Sequence, residues 1–494
     1  MGLLEPRRRP RRPPGGHRRL ALPGLAAYAG AAAVAFALAR APEELPRGRV
    51  TEKIVCRESP GHSYALYLPS SYDPARLAPV LYMLDARGRA LVPIERFREA
   101  AEEHGWILVS SYNTRSDTQD DPNTPAVQAM WKDTHERLAI DDRRVSLTGF
   151  SGGARASVGL AGYAPLRIAG VIGCGAGWPD DTAPIPERPS FAYFGAIGNR
   201  DFNYYEMREL DEKLSKVGAR YRIEAFDGAH DWPPAALARE ALAWLELEAM
   251  RSGARPRDRA AIAALYAQDL ARARALESEG RAADAFVRYG WIARDFRGLT
   301  DVAESEAKAA DLGGSAQVRK ALKDARRRDE RDRATLRDLS RKLSRALAAS
   351  ELPPAGLVAA ELKIPALRTR VASGDSAEER LSAERILANL RVQTSFYVPE
   401  KFLAKNDAPH ALLALSIAAE IDPDEPLVYY NLACASARSG QVSRTLKELD
   451  RAVAKGFRRF EMIDSEPDFA PVRADPAVQK WLAEARARTP PVTP

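Results

Sequence analysis

The pentapeptide Gly149-Phe150-Ser151-Gly152-Gly153 constrains this chain more than any other stretch of it. Arg144 to Thr148 in front of it reads as a strand, and Gly153 to Val158 behind it reads as the start of a helix, so the serine falls on a sharp strand-to-helix turn. Such a turn crowds the backbone. Glycines at 149, 152 and 153 relieve that crowding, leave the hydroxyl exposed above a sheet, and aim the amide of Gly152 at the same point.

The flanking sequence supplies the sheet. From about residue 50 to 250, short β-rich runs alternate with amphipathic helical ones, the pattern of a parallel sheet covered by helices. Strands are expected at Val50 to Cys56, Tyr64 to Leu68, Pro79 to Leu84, Trp106 to Ser110, Arg144 to Thr148, Ile168 to Gly173, Phe191 to Gly195 and Tyr221 to Phe226. Helices are expected near 92–104, 125–139, 153–162, 203–217 and 234–250.

A serine hydroxyl is a weak nucleophile at neutral pH, so a base must take its proton and an acid must orient that base. Of the six histidines, at 17, 62, 104, 135, 230 and 410, only His230 follows Ser151 within the sheet region. The acid should follow the preceding strand, and Phe191 to Gly195 runs through Ala196-Ile197-Gly198-Asn199-Arg200 to Asp201. Asp227 and Asp231 lie too near His230 in sequence to orient it in the usual way, and Asp180 falls in the loop after the sixth strand.

Gly-Phe-Ser-Gly-Gly-Ala at 149–154, Gly-Asn-Arg-Asp-Phe-Asn at 198–203 and Gly-Ala-His-Asp-Trp-Pro at 228–233 together resemble the polyhydroxybutyrate depolymerase and feruloyl esterase branch of the α/β-hydrolases, over about 200 residues. The resemblance implies a serine carboxylic-ester hydrolase with the triad Ser151, Asp201 and His230, no cofactor, and Trp232 and Pro233 shaping the histidine loop. That branch usually carries His-Gly after the third strand, where a second oxyanion amide arises, whereas this chain has Leu84-Asp85-Ala86-Arg87-Gly88. Geometry requires an N–H there and no particular side chain, so Ala86 or Arg87 is expected to complete the hole with Gly152. Trp232 and Arg87 are the expected substrate contacts. Arg87 could favour an acidic acyl group, or serve as a surface arginine or the partner of Asp85. The loop from Cys174 to Arg188 is too short for a large lid, and no interfacial lid is expected.

After residue 252 strand signals vanish, and Ala, Arg, Glu and Leu dominate at helical periodicity, with Arg251 to Arg257 as linker. Tyr429-Tyr430-Asn431-Leu432-Ala433 through Gly440, Thr445, Leu449 and Ala452 has the spacing of tetratricopeptide repeats. Ala411, Leu415, Ala418 and Pro423 suit the second helix of a preceding unit, and Ala273, Leu276, Gly280, Ala285 and Tyr289 suggest another near 270–297. A generic helical bundle is the alternative. Between them Val318 to Ala349 carries charges of both signs around an apolar stripe of Leu322, Leu336, Leu339, Leu343 and Leu347, fit to pack on the repeats or to pair as a short coiled coil. The expected fold class is therefore α/β: an α/β-hydrolase sheet sandwiched by helices, then an all-α tetratricopeptide-like region. The expected divisions are a leader at 1–45, the hydrolase at 50–250, a helical repeat segment at 258–315, a charged helical connector at 316–380 and tetratricopeptide-like repeats at 381–488.

The formal charge of +7 is confined to the leader, where residues 1–49 hold ten arginines against three glutamates. The remaining chain is balanced and shows no aromatic and basic surface, so nucleic acid is not an expected partner. The leader's arginines precede an uncharged run from Leu20 to Ala39, the form of an export signal or an N-terminal membrane anchor, with Ala37-Leu38-Ala39 as a small-x-small cleavage site. Either places the folded chain outside the cytoplasm, periplasmic, secreted or tethered, with membrane contact through this segment only. Cys56, Cys174 and Cys434 define no disulfide framework, and no Cys/His cluster has metal-ligand spacing. The leading expectation is an esterase acting on a small ester through an acyl-enzyme, with the repeats available to a protein or peptide partner. The alternatives are an interaction protein with a vestigial hydrolase scaffold, and a serine peptidase of the same fold.

Overall fold

Among the described residues eight strands run β1 Val50–Val55, β2 Ser63–Tyr67, β3 Ala78–Leu84, β4 Ile107–Ser111, β5 Ile140–Phe150, β6 Gly170–Cys174, β7 Ala192–Gly198 and β8 Tyr221–Phe226. They form one sheet in the order β1-β2-β4-β3-β5-β6-β7-β8. The pairs β1–β2 and β2–β4 are antiparallel, and every pair from β4 to β8 is parallel. The computed structural model describes residues 45–118, 120–162, 166–179 and 185–488, and the expected leader lies outside them.

A parallel sheet needs crossover helices, which bury both of its faces and make its central strands continuously apolar. Val80-Leu81-Tyr82-Met83-Leu84 of β3 is wholly buried. The helices are α1 Leu91–His104, α2 Asn123–Arg137, α3 Gly152–Ala161, α4 Tyr204–Lys216 and α5 Ala235–Ser252. Alternation along β7 places them: Phe194 meets Trp244 of α5 at a ring separation of 5.9 Å, while a side chain at Gly195 would meet Met207 of α4. Consequently α4 and α5 cover opposite faces. This order and layering define an α/β-hydrolase fold, and the loops after β3, β5, β7 and β8 gather at the carboxyl edge of the sheet, where ligands bind in such folds.

The described residues continue in helices: α6 Arg259–Ser278, α7 Ala282–Phe296, α8 Ala303–Gly314, α9 Ala316–Leu347, α10 Ala355–Glu361, α11 Ile364–Ser373, α12 Ala377–Val392, α13 Val398–Leu403, α14 Ala408–Ile421, α15 Pro426–Arg438, α16 Val442–Ala454, α17 Glu461–Ser465 and α18 Pro476–Arg488. Helices α6 to α8 share one hydrophobic core with the sheet, since Leu270, Tyr289, Ile292 and Phe296 cluster with Phe194, Trp244 and Leu247. The change of character near residue 252 thus marks a change of secondary structure and not a break in packing. The described residues from Pro46 onward form one compact unit.

Helix α9 joins two cores. Its Val318 belongs to the sheet-side core, and Leu339, Leu343 and Ala346 belong to a second core with α10, α11, α12 and α14. Both ends of the helix are therefore held in cores within the chain, while Leu322, the first residue of its apolar stripe, remains 36% exposed. A third core fills α15 to α18, where Tyr430 stacks on Phe457 at 4.8 Å. All three cysteines are buried and free.

Charge also seals the helices to the sheet. Arg222 of β8 is buried, donates through Nε to Asp295 Oδ2 at 2.7 Å on α7, and through Nη2 to Asp269 Oδ2 at 2.8 Å on α6. The Trp244 indole N–H also donates to Asp295, at 3.0 Å. Burying charge is costly unless every partner is present, so loss of one member is worse than loss of the set. Arg222→Ala should destabilise the chain by about 3–5 kcal/mol, read as a lowered midpoint of urea unfolding. An unchanged midpoint would show that the network is not a structural tie.

Candidate active site

Ser151 leaves β5 with φ 56° and ψ −121°, and α3 starts at the next residue. A non-glycine residue in that region is strained and persists only where its surroundings hold it. Its amide donates to the carbonyl of Cys174 at 2.8 Å on the neighbouring strand end. A side chain at Gly149 would strike the carbonyl oxygen of Gly153 at 2.1 Å, and one at Gly153 would strike that of Leu84 at 2.1 Å. Close backbone approach therefore demands glycine at both positions.

His230 follows β8 and Asp201 follows β7. His230 Nδ1 lies 2.8 Å from Asp201 Oδ2, and the carboxylate is fully buried. The imidazole packs between Phe150 and Phe202, at ring separations of 4.5 and 4.1 Å. Ser151 and His230 line one cleft. No hydrogen bond joins the Ser151 hydroxyl to the imidazole among the described residues, a gap that such pairs commonly close once substrate is bound. The competing carboxylates are engaged elsewhere: Asp227 pairs with Arg200 at 2.7 Å, and Asp231 accepts from the Trp232 amide at 2.7 Å. Asp180 lies outside the described residues.

The loop after β3 turns around Asp85, whose importance the sequence did not reveal. This buried carboxylate accepts from the amides of Arg87 at 2.8 Å and Arg89 at 3.2 Å, from the Arg89 side chain at 3.0 and 2.9 Å, and from the Trp232 indole at 2.9 Å. Burial alone would raise its pKa, but the bonds from Arg89, Trp232 and the two amides outweigh it and hold the carboxyl below the usual range. Two expectations change as a result. The Arg87 amide is already committed to Asp85, so between Ala86 and Arg87 the amide left for an oxyanion is that of Ala86. Trp232, expected at the substrate, is 1% exposed, lies outside the cleft lining and ties the histidine loop to Asp85. Arg87 is exposed in the cleft, and the partner of Asp85 is Arg89.

The absence of a lid was expected from the short loop after β6, but the cleft is roofed from a distant part of the chain. Its volume is about 1030 Å³, and beyond Arg87, Ser151, Phe202 and His230 it is lined by Glu384, Leu387, Ala388, Arg391 and Val392 of α12 and by Ser395, Phe396 and Tyr397. The latter three belong to a π-helical stretch, Gln393–Tyr397, a distortion frequent at functional sites. Helix α12 also grips the loop that carries Asp201. Arg385, 7% exposed, donates through Nε to the carbonyl of Asn199 at 2.6 Å and lies 3.7 Å over the ring of Tyr204. Nothing local marks Arg385 in the sequence, because its partners are about 180 positions away. Among the described residues no three His, Cys, Asp or Glu side chains gather to hold a metal ion.

No family model and no curated protein matches the chain. Among solved structures it is similar to the fluorophosphonate-binding serine hydrolase FphF of Staphylococcus aureus, at 15% identity and TM-score 0.32, covering 37% of this chain and 92% of that one. It is also similar to a ferulic acid esterase, at 16% identity and TM-score 0.34, covering 40% of this chain and 97% of that one. A third is the S-formylglutathione hydrolase FrmB of Staphylococcus aureus, at 16% identity and TM-score 0.32, covering 41% and 98%. Likeness at this level says nothing of chemistry, and the geometry must speak for itself.

Removing the Arg385 guanidinium deletes a charge-assisted bond worth about 1.5–3 kcal/mol. Arg385→Ala should therefore speed amide hydrogen exchange at Asn199 to Asp201 by roughly ten- to a hundredfold while leaving exchange in β5 and β6 unaltered. Equal protection in the variant would mean that α12 does not hold this loop.

Proposed function

We propose that this chain is a serine hydrolase that cleaves carboxylic esters through an acyl-enzyme, and that its helical region serves as the roof of the substrate cleft. The observation that carries the reading is the 2.8 Å contact between His230 and the buried Asp201, facing a strained serine across one cleft. Buried carboxylate and imidazole in this relation fix the Nδ1–H tautomer and leave Nε2 to act as base.

In the proposed cycle, Ser151 Oγ attacks the ester carbonyl as its proton passes to His230 Nε2. The carbonyl electrons move to the oxygen, which accepts from the amides of Gly152 and Ala86. Collapse of this intermediate expels the alkoxide, which takes the proton from His230. Water then gives a proton to the same nitrogen, attacks the acyl-serine, and releases the acid and the free serine. The carboxylate of Asp201 stabilises the imidazolium at each step without taking its proton.

Substrate size follows from the roof. The cleft shares Val371, Leu387, Arg391, Ser395 and Asn431 with a second groove of about 880 Å³ that runs to Asp424 and Leu427. An ester with an extended acyl or alcohol part has room to continue along the helices, whether or not a protein partner also uses them.

Incubation with a fluorophosphonate probe should label the wild-type chain. Ser151→Ala should abolish labelling, and His230→Ala should reduce it by a factor on the order of 10³ or more. Short-chain aryl esters should be hydrolysed with the same ranking. A wild-type chain that neither labels nor hydrolyses would exclude the esterase and direct attention to the helical region as a binding platform.

A further inference from the structure

Among the described residues five arginines line the cleft: Arg87, Arg89, Arg115, Arg200 and Arg391. Three are neutralised by carboxylates, Arg89 by Asp85 at 2.9 Å, Arg200 by Asp227 at 2.7 Å and Arg391 by Asp422 at 2.6 Å. Arg87 and Arg115 have no carboxylate partner among the described residues, and both stand on the loops that flank the candidate oxyanion amides.

Arg115 is fixed without being neutralised. Its Nη1 donates to the carbonyls of Tyr112 at 3.1 Å and Thr114 at 2.7 Å. Its amide donates to Asn123 Oδ1 at 3.1 Å, and its carbonyl accepts from Asn123 Nδ2 at 2.8 Å. The guanidinium lies across Gly88, where a side chain would strike Arg115 Nη1 at 1.8 Å. Glycine at 88 thus gives the guanidinium its seat. The next residue, Ser116, donates its amide to the carbonyl of Ala86 at 3.0 Å, which joins the Arg115 loop to the oxyanion loop.

Among the described residues one carboxylate without an ion-pair partner opposes these cations. Asp117 also lines the cleft, and accepts from Ser116 Oγ at 2.8 Å. The other cleft carboxylates are Asp231, paired with Arg96 at 3.5 Å, and Glu384, paired with Arg200 at 3.9 Å. Over the whole lining and its ion-pair partners six arginines meet six carboxylates, but on the two loops beside Ser151 Arg87 and Arg115 face Asp117 alone among the described residues, a local excess of one positive charge. A fixed guanidinium whose bonds go only to neutral carbonyls keeps its full charge for a ligand, and presents donors suited to a carboxylate.

We propose that Arg87 and Arg115 form an anion subsite, and that the preferred substrates are esters bearing a carboxylate on the acyl part, such as half-esters of dicarboxylic acids. The inference rests on the esterase reading. Its selectivity comes from charge and not from size, because the cleft has room for a neutral acyl chain of equal length.

The test compares kcat/KM for the mono-p-nitrophenyl ester of adipic acid with that for p-nitrophenyl hexanoate, using the full chain. The account expects the anionic ester to be favoured by about tenfold or more. Arg115→Gln and Arg87→Gln should each shrink that ratio severalfold, Asp117→Asn should raise it, and roughly 0.5 M salt should reduce it through screening. Hydrolysis of both esters at a ratio near one, or a ratio indifferent to both arginine substitutions, would overturn the anion subsite and leave the esterase standing. Failure to cleave either ester, with no fluorophosphonate labelling, would remove both.

Discussion

A buried carboxylate is stable only if it is surrounded by donors, and Asp85 collects its donors from two loops that are about 145 residues apart in the chain. Its bonds to Arg87 and Arg89 shape the turn after β3, and its bond to the Trp232 indole draws in the turn after β8. One loop offers the Ala86 amide and the other offers His230. Their relative position therefore depends on a single electrostatic requirement, that Asp85 be satisfied away from water. The strained serine has the same character: its backbone angles are held by the strand ends beneath it, and the strain is tolerated because that surrounding is rigid.

The loop that carries Asp201 is secured from outside the sheet. Arg385 and Glu384 on α12 meet Asn199, Tyr204 and Arg200 around Asp201, while the adjacent residues Leu387 and Ala388 face the cleft. A single helix thereby carries both the roof over Ser151 and the clamp on the loop of Asp201. Helix α12 is in turn anchored in a core with α9, α10, α11 and α14, and α9 reaches back to the core of the sheet. The helical region is in this sense a part of the site and not an appendage to it.

The features legible in the sequence were those whose physics is local. Glycine spacing around Ser151 announces a turn because crowding acts over a few residues, and strand-helix alternation announces a parallel sheet because burial acts on each segment separately. That His230 and Asp201 meet is read from chain order, since in this fold the loops after particular strands come together at one edge. The roof was not legible for the converse reason. Amphipathic periodicity shows that α12 buries a face but not against what, Arg385 is one of several arginines in its stretch, and the uncharged Gln-Thr-Ser-Phe-Tyr run at 393–397 stands out in composition without announcing a π-helical turn over a distant serine. Trp232 shows the same limit: an aromatic residue beside a histidine reads as well for a ligand wall as for a buried strut, and only its contact with Asp85 separates the two.

The most direct test is a crystal structure of the chain after reaction with an alkyl fluorophosphonate, from which Ser151 would displace fluoride. The account predicts phosphorus bonded to Ser151 Oγ, the phosphoryl oxygen within hydrogen-bond reach of the amides of Gly152 and Ala86, and the alkyl group beneath Leu387 and Val392 of α12. An adduct whose phosphoryl oxygen faces solvent, with α12 displaced from the Asn199 loop, would contradict a site built jointly by the sheet and the helices.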